Sequence, residues 1–127
     1  MGTAIPRDDC AVIYLRSCGN EFDPRRYDEC LRIAESSNLT VLRVYCDVGT
    51  PARLDRQSDL QRLMSDLAQR RDARYVIVWH YSRIGQDSAQ LNEVSTRLHA
   101  SDAEILTITG VEVATRFIQD RIDGSQR

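Results

Sequence analysis

The sequence predicts an α/β domain: three layers, with an open, mostly parallel sheet of four or five strands and helices on both faces. Three observations predict it. Short apolar runs alternate with segments of helical period in the order β-α-β-α-β-α-β-α, the pattern of parallel strands joined by crossover helices. The run Tyr75-Val76-Ile77-Val78-Trp79 is the most apolar in the chain and reads as a central strand buried on both faces. Polar residues also gather directly after three of the strands, where open α/β sheets keep their ligand sites.

Each element has its own signal. Residues 1–10 are expected to form a flexible lead-in and 11–123 a single domain. Ala11 to Leu15 is a short apolar run with β-branched and aromatic content, hence a buried strand. Alternation along it puts Arg16 and Cys18 on one side and Ser17 on the other. Asp23-Pro24 starts a helix, with Asp as N-cap and Pro in the first helical position. Tyr27, Cys30, Leu31 and Ala34 give that helix an inward face to about Ser37, and Asn38 ends it. Thr40 to Cys46 is the second strand, followed by a long polar loop from Asp47 to Arg56 whose length suggests function. Leu60, Leu63, Met64 and Leu67 mark a second helix ending near Arg71-Asp72. After the central strand comes a third helix with Leu91, Val94 and Leu98 inside, then a strand from Glu104 to Thr109. Val113, Phe117, Ile118 and Ile122 suggest a short final helix closed by Gly124.

Composition narrows the function class. At 127 residues, with 42% hydrophobic and 28% charged residues, the chain is an ordinary single globular domain. It has no secretory signal or membrane-length apolar run, so a cytoplasmic location is expected. The net charge of −2 is not that of an autonomous DNA binder, although all seventeen basic side chains are arginines and local patches can form. The four cysteines, Cys10, Cys18, Cys30 and Cys46, include no C-x-x-C pair, and His80 and His99 are isolated, so no metal site is expected. Free thiols are expected, with Cys10, Cys30 and Cys46 as packing residues. Trp79 and Tyr75 are expected in the core, and His80 as a surface or hydrogen-bonding residue.

The three polar strand ends carry the chemistry. Arg16 and Cys18 follow the first, Asp47 through Arg56 the second, and Ser82, Arg83 and Gln86 the third. In a parallel sheet they lie along one edge, where arginines can grip phosphate oxygens bidentately. One reading is an anion cleft containing a thiol. The other is a set of loop arginines that are solvated or paired with Asp47, Asp55 and Asp87. A cysteine phosphatase reading fits poorly. After five intervening residues Cys18 is followed by Pro24 and only then by Arg25, while Cys10-x5-Arg16 lies within a strand rather than a phosphate-cradling loop.

The order of these blocks resembles the N-terminal catalytic domain of the serine recombinases, the resolvase/invertase family. Tyr14-x-Arg16-x-Cys18 lies over that family's Tyr-x-Arg-x-Ser, Asp47-x-Gly49 and Arg56 over its Asp-x-Gly loop and following Arg, and Ser82-Arg83-x-x-Gln86 over its Asp-Arg-x-x-Arg. The resemblance implies a resolvase-catalytic-domain-like fold and a serine that attacks a DNA phosphodiester and becomes covalently attached. It implies no cofactor or metal, and arginines that hold the phosphate, here Arg16, Arg83 and Arg56. Gln57 competes for the last slot through a one-residue shift.

Cys18 stands at the nucleophile position, Ser82 at the aspartate, Gln86 at the second arginine, and Tyr27 near a helix-one glutamine. Losing one charge clamp from a phosphate site costs about 10²–10³ in rate. A cysteine is a competent nucleophile beside guanidinium groups, but sulfur in a site shaped for oxygen is misplaced at a further cost of about 10². The expectation is a recombinase-type domain that has lost strand cleavage and acts through protein contacts as a regulatory or accessory partner. The alternative is an active strand-transfer domain with a cysteine nucleophile. The resemblance also implies a long helix and a DNA-binding module beyond this stretch, and neither pattern occurs in it. DNA is therefore expected to be a weak partner alone. A homodimer or heteromer is expected through Val113, Phe117, Ile118 and Ile122.

Overall fold

The computed structural model describes residues 5–17, 22–49, 57–85 and 87–107. Strands and helices alternate as β1 (Cys10–Ser17), α1 (Pro24–Ser36), β2 (Thr40–Val48), α2 (Ser58–Arg70), β3 (Tyr75–Ile77), α3 (Ser88–Ala100) and β4 (Glu104–Leu106). All strand pairs are parallel, in the order β2-β1-β3-β4. The chain steps one way from β1 to β2 and the other way in the two later crossovers. Because such crossovers share one hand, that reversal puts α1 on one face of the sheet and α2 and α3 on the other. The expected three-layer parallel α/β architecture is the observed one.

β1 shows how the sequence builds both cores. Cys10, Val12 and Tyr14 pack under α2 and α3 with Leu60, Leu63, Leu67, Val94 and Leu98. Ala11, Ile13 and Leu15 pack under α1 with Cys30 and Ala34. Every one of these β1 side chains is at most 6% exposed, so the strand carries apolar groups on both faces as a central parallel strand must. The strand runs to Ser17, two residues further than the apolar run suggests, because Arg16 and Ser17 still pair with Asp47 and Val48 of β2. β3 is shorter than expected. Val78 leaves the ladder, although its N–H still donates to the Leu106 carbonyl at 3.0 Å.

Helix ends follow local chemistry. Asp23 accepts from the Arg25 N–H at 3.1 Å with Pro24 in the first turn, as the Asp-Pro pair implies. Asp87 caps α3 through the Gln90 N–H at 2.7 Å. The helices close on left-handed residues, Asn38 (φ 56°), Arg71 (φ 48°) and Asp102 (φ 59°). At Asn38 and Asp102 the next two amides bond back across the turn, Leu39 N–H to Ala34 and Ala103 N–H to Leu98, both at 2.8 Å. In the stretch before β1, Arg7–Asp9 form a 3-10 turn whose Arg7 carbonyl accepts from the Arg74 N–H at 3.1 Å.

Cys18, Arg56 and Gln86 lie outside the described residues, as does the apolar stripe Val113, Phe117, Ile118 and Ile122. Among the described residues no helix is long and apolar enough to cross a membrane, and no cluster of His, Cys, Asp and Glu is placed to hold a metal ion.

Candidate functional site

β1 and β3 are neighbours whose outgoing connections lead in opposite directions, so their C-terminal ends flank the switch-point crevice. Arg16 leaves β1 there, and the 3-10 turn Tyr81–Arg83 follows β3. The two arginines clasp each other's backbone. Arg16 donates from Nε to the Arg83 carbonyl at 3.3 Å and from Nη2 to the Ser82 carbonyl at 3.0 Å. Arg83 returns a bond from Nη1 to the Arg16 carbonyl at 3.4 Å. Arg16 is only 6% exposed, so much of its guanidinium fixes the loop after β3. The Nε of Arg83 is buried and has no hydrogen-bond partner. A buried guanidinium donor left unmade is costly, and an anion would satisfy it.

Beneath the clasp runs a buried polar network that ties the three strand ends together. The Tyr14 hydroxyl donates to Asp47 Oδ2 at 2.8 Å and accepts from Gln57 Nε2 at 3.0 Å. Gln57 Nε2 also donates to the Arg83 carbonyl at 3.0 Å, and Gln90 Nε2 donates to Gln57 Oε1 at 2.9 Å and to the Ile84 carbonyl at 2.6 Å. Asp47 caps α2 from a distance, accepting from the Asp59 N–H at 3.0 Å and the Leu60 N–H at 3.2 Å. The negative carboxylate thus meets the positive end of the helix. Asp47 is 4% exposed and Gln57 fully buried. Burial, together with the Asp47 charge, pushes the Tyr14 phenol well above the usual tyrosine range despite the opposing Gln57 hydrogen bond, so Tyr14 stays a neutral donor. Gly85 sits so close to Gln90 that an added Cβ would stand 2.9 Å from its Nε2.

The sequence placed Arg16, Asp47, Ser82 and Arg83 on one edge, and the structure brings them together. Gln57, offered there as a rival to Arg56, holds the inside of the network. Gln90 was not singled out at all. Its position three residues after Asp87 suggests a capping box, yet its side chain reaches across to Gln57 instead. Ser82 is taken up locally: its hydroxyl lies 3.1 Å from His80 Nδ1, which also accepts the Ser82 N–H. His80 is the hydrogen-bonding residue it was expected to be. Tyr27 is half-buried against the α1-side core, with its ring 5.8 Å from that of Phe22.

Trp79 is less simply a core residue than its apolar run implied. It is half-buried, and the Arg26 guanidinium of α1 stacks on its ring at 3.5 Å from the centroid, with that of Arg83 at 5.7 Å. Arg16, Ser17, Asp23, Arg26, Trp79 and Arg83 line one cleft. Arg26 also pairs with Glu29 at 3.1 Å and lies 3.9 Å from Asp23.

The described thiols are free and poor nucleophiles. Cys10 and Cys30 are buried and Cys46 half-buried. Burial raises all three, with nearby carboxylates adding to it, and the Cys30 thiol is pushed up to about 12.

With this geometry in place, comparison with known proteins gives a consistent answer. The family model "Resolvase, N terminal domain" matches residues 11–122. The fold is similar to the N-terminal catalytic domain of TP901-1 integrase, at a TM-score of 0.77 and 18% identity, covering 93% of this chain and 96% of that one. It is similar to the C-terminal catalytic domain of ISC1926 TnpA, an IS607-like serine recombinase, at 0.65 and 17%, covering 78% and 69%. A resolvase family site-specific recombinase from Streptococcus pneumoniae matches at 0.63 and 12%, covering 91% and 90%. No curated protein matches the chain. The chain belongs to the resolvase family of serine recombinases and has the fold of their catalytic domains.

Proposed function

We propose that this serine-recombinase-type domain has lost DNA strand cleavage, retains a phosphate-facing arginine, and acts as a regulatory or accessory partner through protein contacts. The observation that carries the reading is the loop after β3. Where the family resemblance places an aspartate there is Ser82, its hydroxyl beside His80, and the loop is held by Arg16 through main-chain carbonyls. No carboxylate from that position aligns a guanidinium, and Arg16 is turned to backbone work. Cys18 in place of serine and Gln86 in place of arginine point the same way. Arg83 keeps a buried, unpartnered donor at the cleft, which supports phosphate contact without catalysis. In this reading Arg83 and Arg56 contact DNA phosphate, Arg16 positions the loop that carries Arg83, and no cofactor or metal takes part. The protein partner, either a second copy or an intact recombinase, docks on the stripe Val113, Phe117, Ile118 and Ile122, and the setting is the cytoplasm.

The test is a suicide DNA substrate that traps a covalent protein–DNA intermediate. No adduct should form. An adduct that disappears in Cys18→Ala would overturn the proposal in favour of an active enzyme with a cysteine nucleophile.

A further inference from the structure

The family motifs account for Arg16, Arg56 and Arg83 and say nothing of Arg26. Yet Arg26 lines the same cleft as Arg83 and shares a platform with it, the ring of Trp79. Both guanidinium groups are within cation–π range of that one ring, and Arg26 lies over it at 3.5 Å from the centroid. Stacking on an indole fixes a guanidinium plane while leaving its edge donors directed outward, which a lysine cannot reproduce. The two charges stand no further apart than the sum of their distances to the ring centre. That places them within reach of adjoining phosphates on one strand.

The local electrostatics favour an anion. The first turn of α1 carries Arg25 and Arg26 and no acidic residue, although a helix N-terminus prefers negative charge. Two carboxylates oppose it. Asp23 is engaged as the N-cap, accepting from the Arg25 N–H, and Glu29 pairs with Arg26 in a half-exposed contact of the kind that contributes little. Arg83, 5.7 Å from the centre of the same ring, brings an unpartnered buried Nε.

We infer that Arg26, stacked on Trp79, is a second backbone contact for a nucleic-acid strand, holding the phosphate next to the one met by Arg83. This inference rests on the phosphate-contact part of the proposed function. Trp79 is a positioning residue in it, and Glu29 a competitor that the incoming phosphate displaces from Arg26.

The experiment follows a short fluorescein-labelled DNA duplex by anisotropy over a range of salt concentrations, with folding of each variant checked by circular dichroism. Arg26→Gln should weaken binding at low salt and reduce the slope of log affinity against log salt by about 1, the signature of one lost phosphate contact. Glu29→Gln should tighten binding by freeing Arg26. The single tryptophan supplies an independent readout, since duplex added to the wild type should change Trp79 emission. An unchanged slope in Arg26→Gln while Arg83→Gln loses binding would overturn this inference alone. If the wild type fails to bind the duplex, the phosphate contact of the proposed function falls, and this inference with it.

Discussion

Two tyrosines face each other across neighbouring strands, and their surroundings differ in one respect. Tyr14 of β1 and Tyr45 of β2 are register partners, and each hydroxyl donates to an aspartate while accepting from a second side chain. For Tyr45 the acceptor is Asp66 and the donor is Arg43, which also makes two bonds to Asp72 at 2.7 and 3.0 Å. Here arginine charge is answered by carboxylates. For Tyr14 the acceptor is Asp47 and the donor is the neutral amide of Gln57. Arg16 and Arg83 of that cluster bond to main-chain carbonyls, and among the described residues Arg83 meets no carboxylate. An arginine matched by acids is a brace. Arg83, fixed by a carbonyl and with its Nε unpartnered, is held in place without such an answer.

Each cluster can be tested by removing its carboxylate. Asp47→Ala should have the largest effect, because it strands the Tyr14 hydroxyl and two helix amides in the interior. Urea denaturation should show a loss of about 3 kcal/mol or more. A loss under about 1 kcal/mol would mean that the network adapts rather than locks. Asp72→Asn should cost less, about 1 kcal/mol, since its pair with Arg43 is partly exposed.

That smaller loss should also depend on pH. The hydrogen bond from Arg43 holds the Asp72 carboxyl below the usual range against an opposing desolvation. Its stabilisation is therefore present above the unfolded value of about 3.9 and disappears as pH falls through the lower folded value. The gap between wild type and Asp72→Asn should be constant at neutral pH and close in acid. A gap that widens in acid would contradict the assignment.

Much of this molecule is readable along the chain, for physical reasons. The two-residue alternation of β1, the Asp23-Pro24 start and the Asn38 stop are local, and each appears where sequence places it. The meeting of Arg16 with Ser82 and Arg83 follows from parallel strands ending on one edge. What local pattern cannot show is partnership at a distance. Gln57 and Gln90 are unremarkable polar residues until tertiary packing closes 33 positions between them. Asp47 reads as a loop residue because the helix it caps begins eleven positions later, at Ser58. Trp79 looks like core in an apolar run, and only the packing of α1 against it reveals a support for arginine.

The left-handed helix ends are not equally suited to the residues that occupy them. Asn38 and Asp102 belong to the residue types that tolerate such a backbone, but Arg71 does not, and only glycine takes φ near 48° without steric cost. Its one side-chain ion pair, with Asp102, is well exposed and contributes little. Arg71→Gly should therefore raise stability by about 0.5–1 kcal/mol, seen as a higher melting temperature, and an unchanged or lower one would show that no strain is held there. The scaffold folds while carrying that strain, and relieving it would supply a margin able to absorb a destabilising substitution elsewhere.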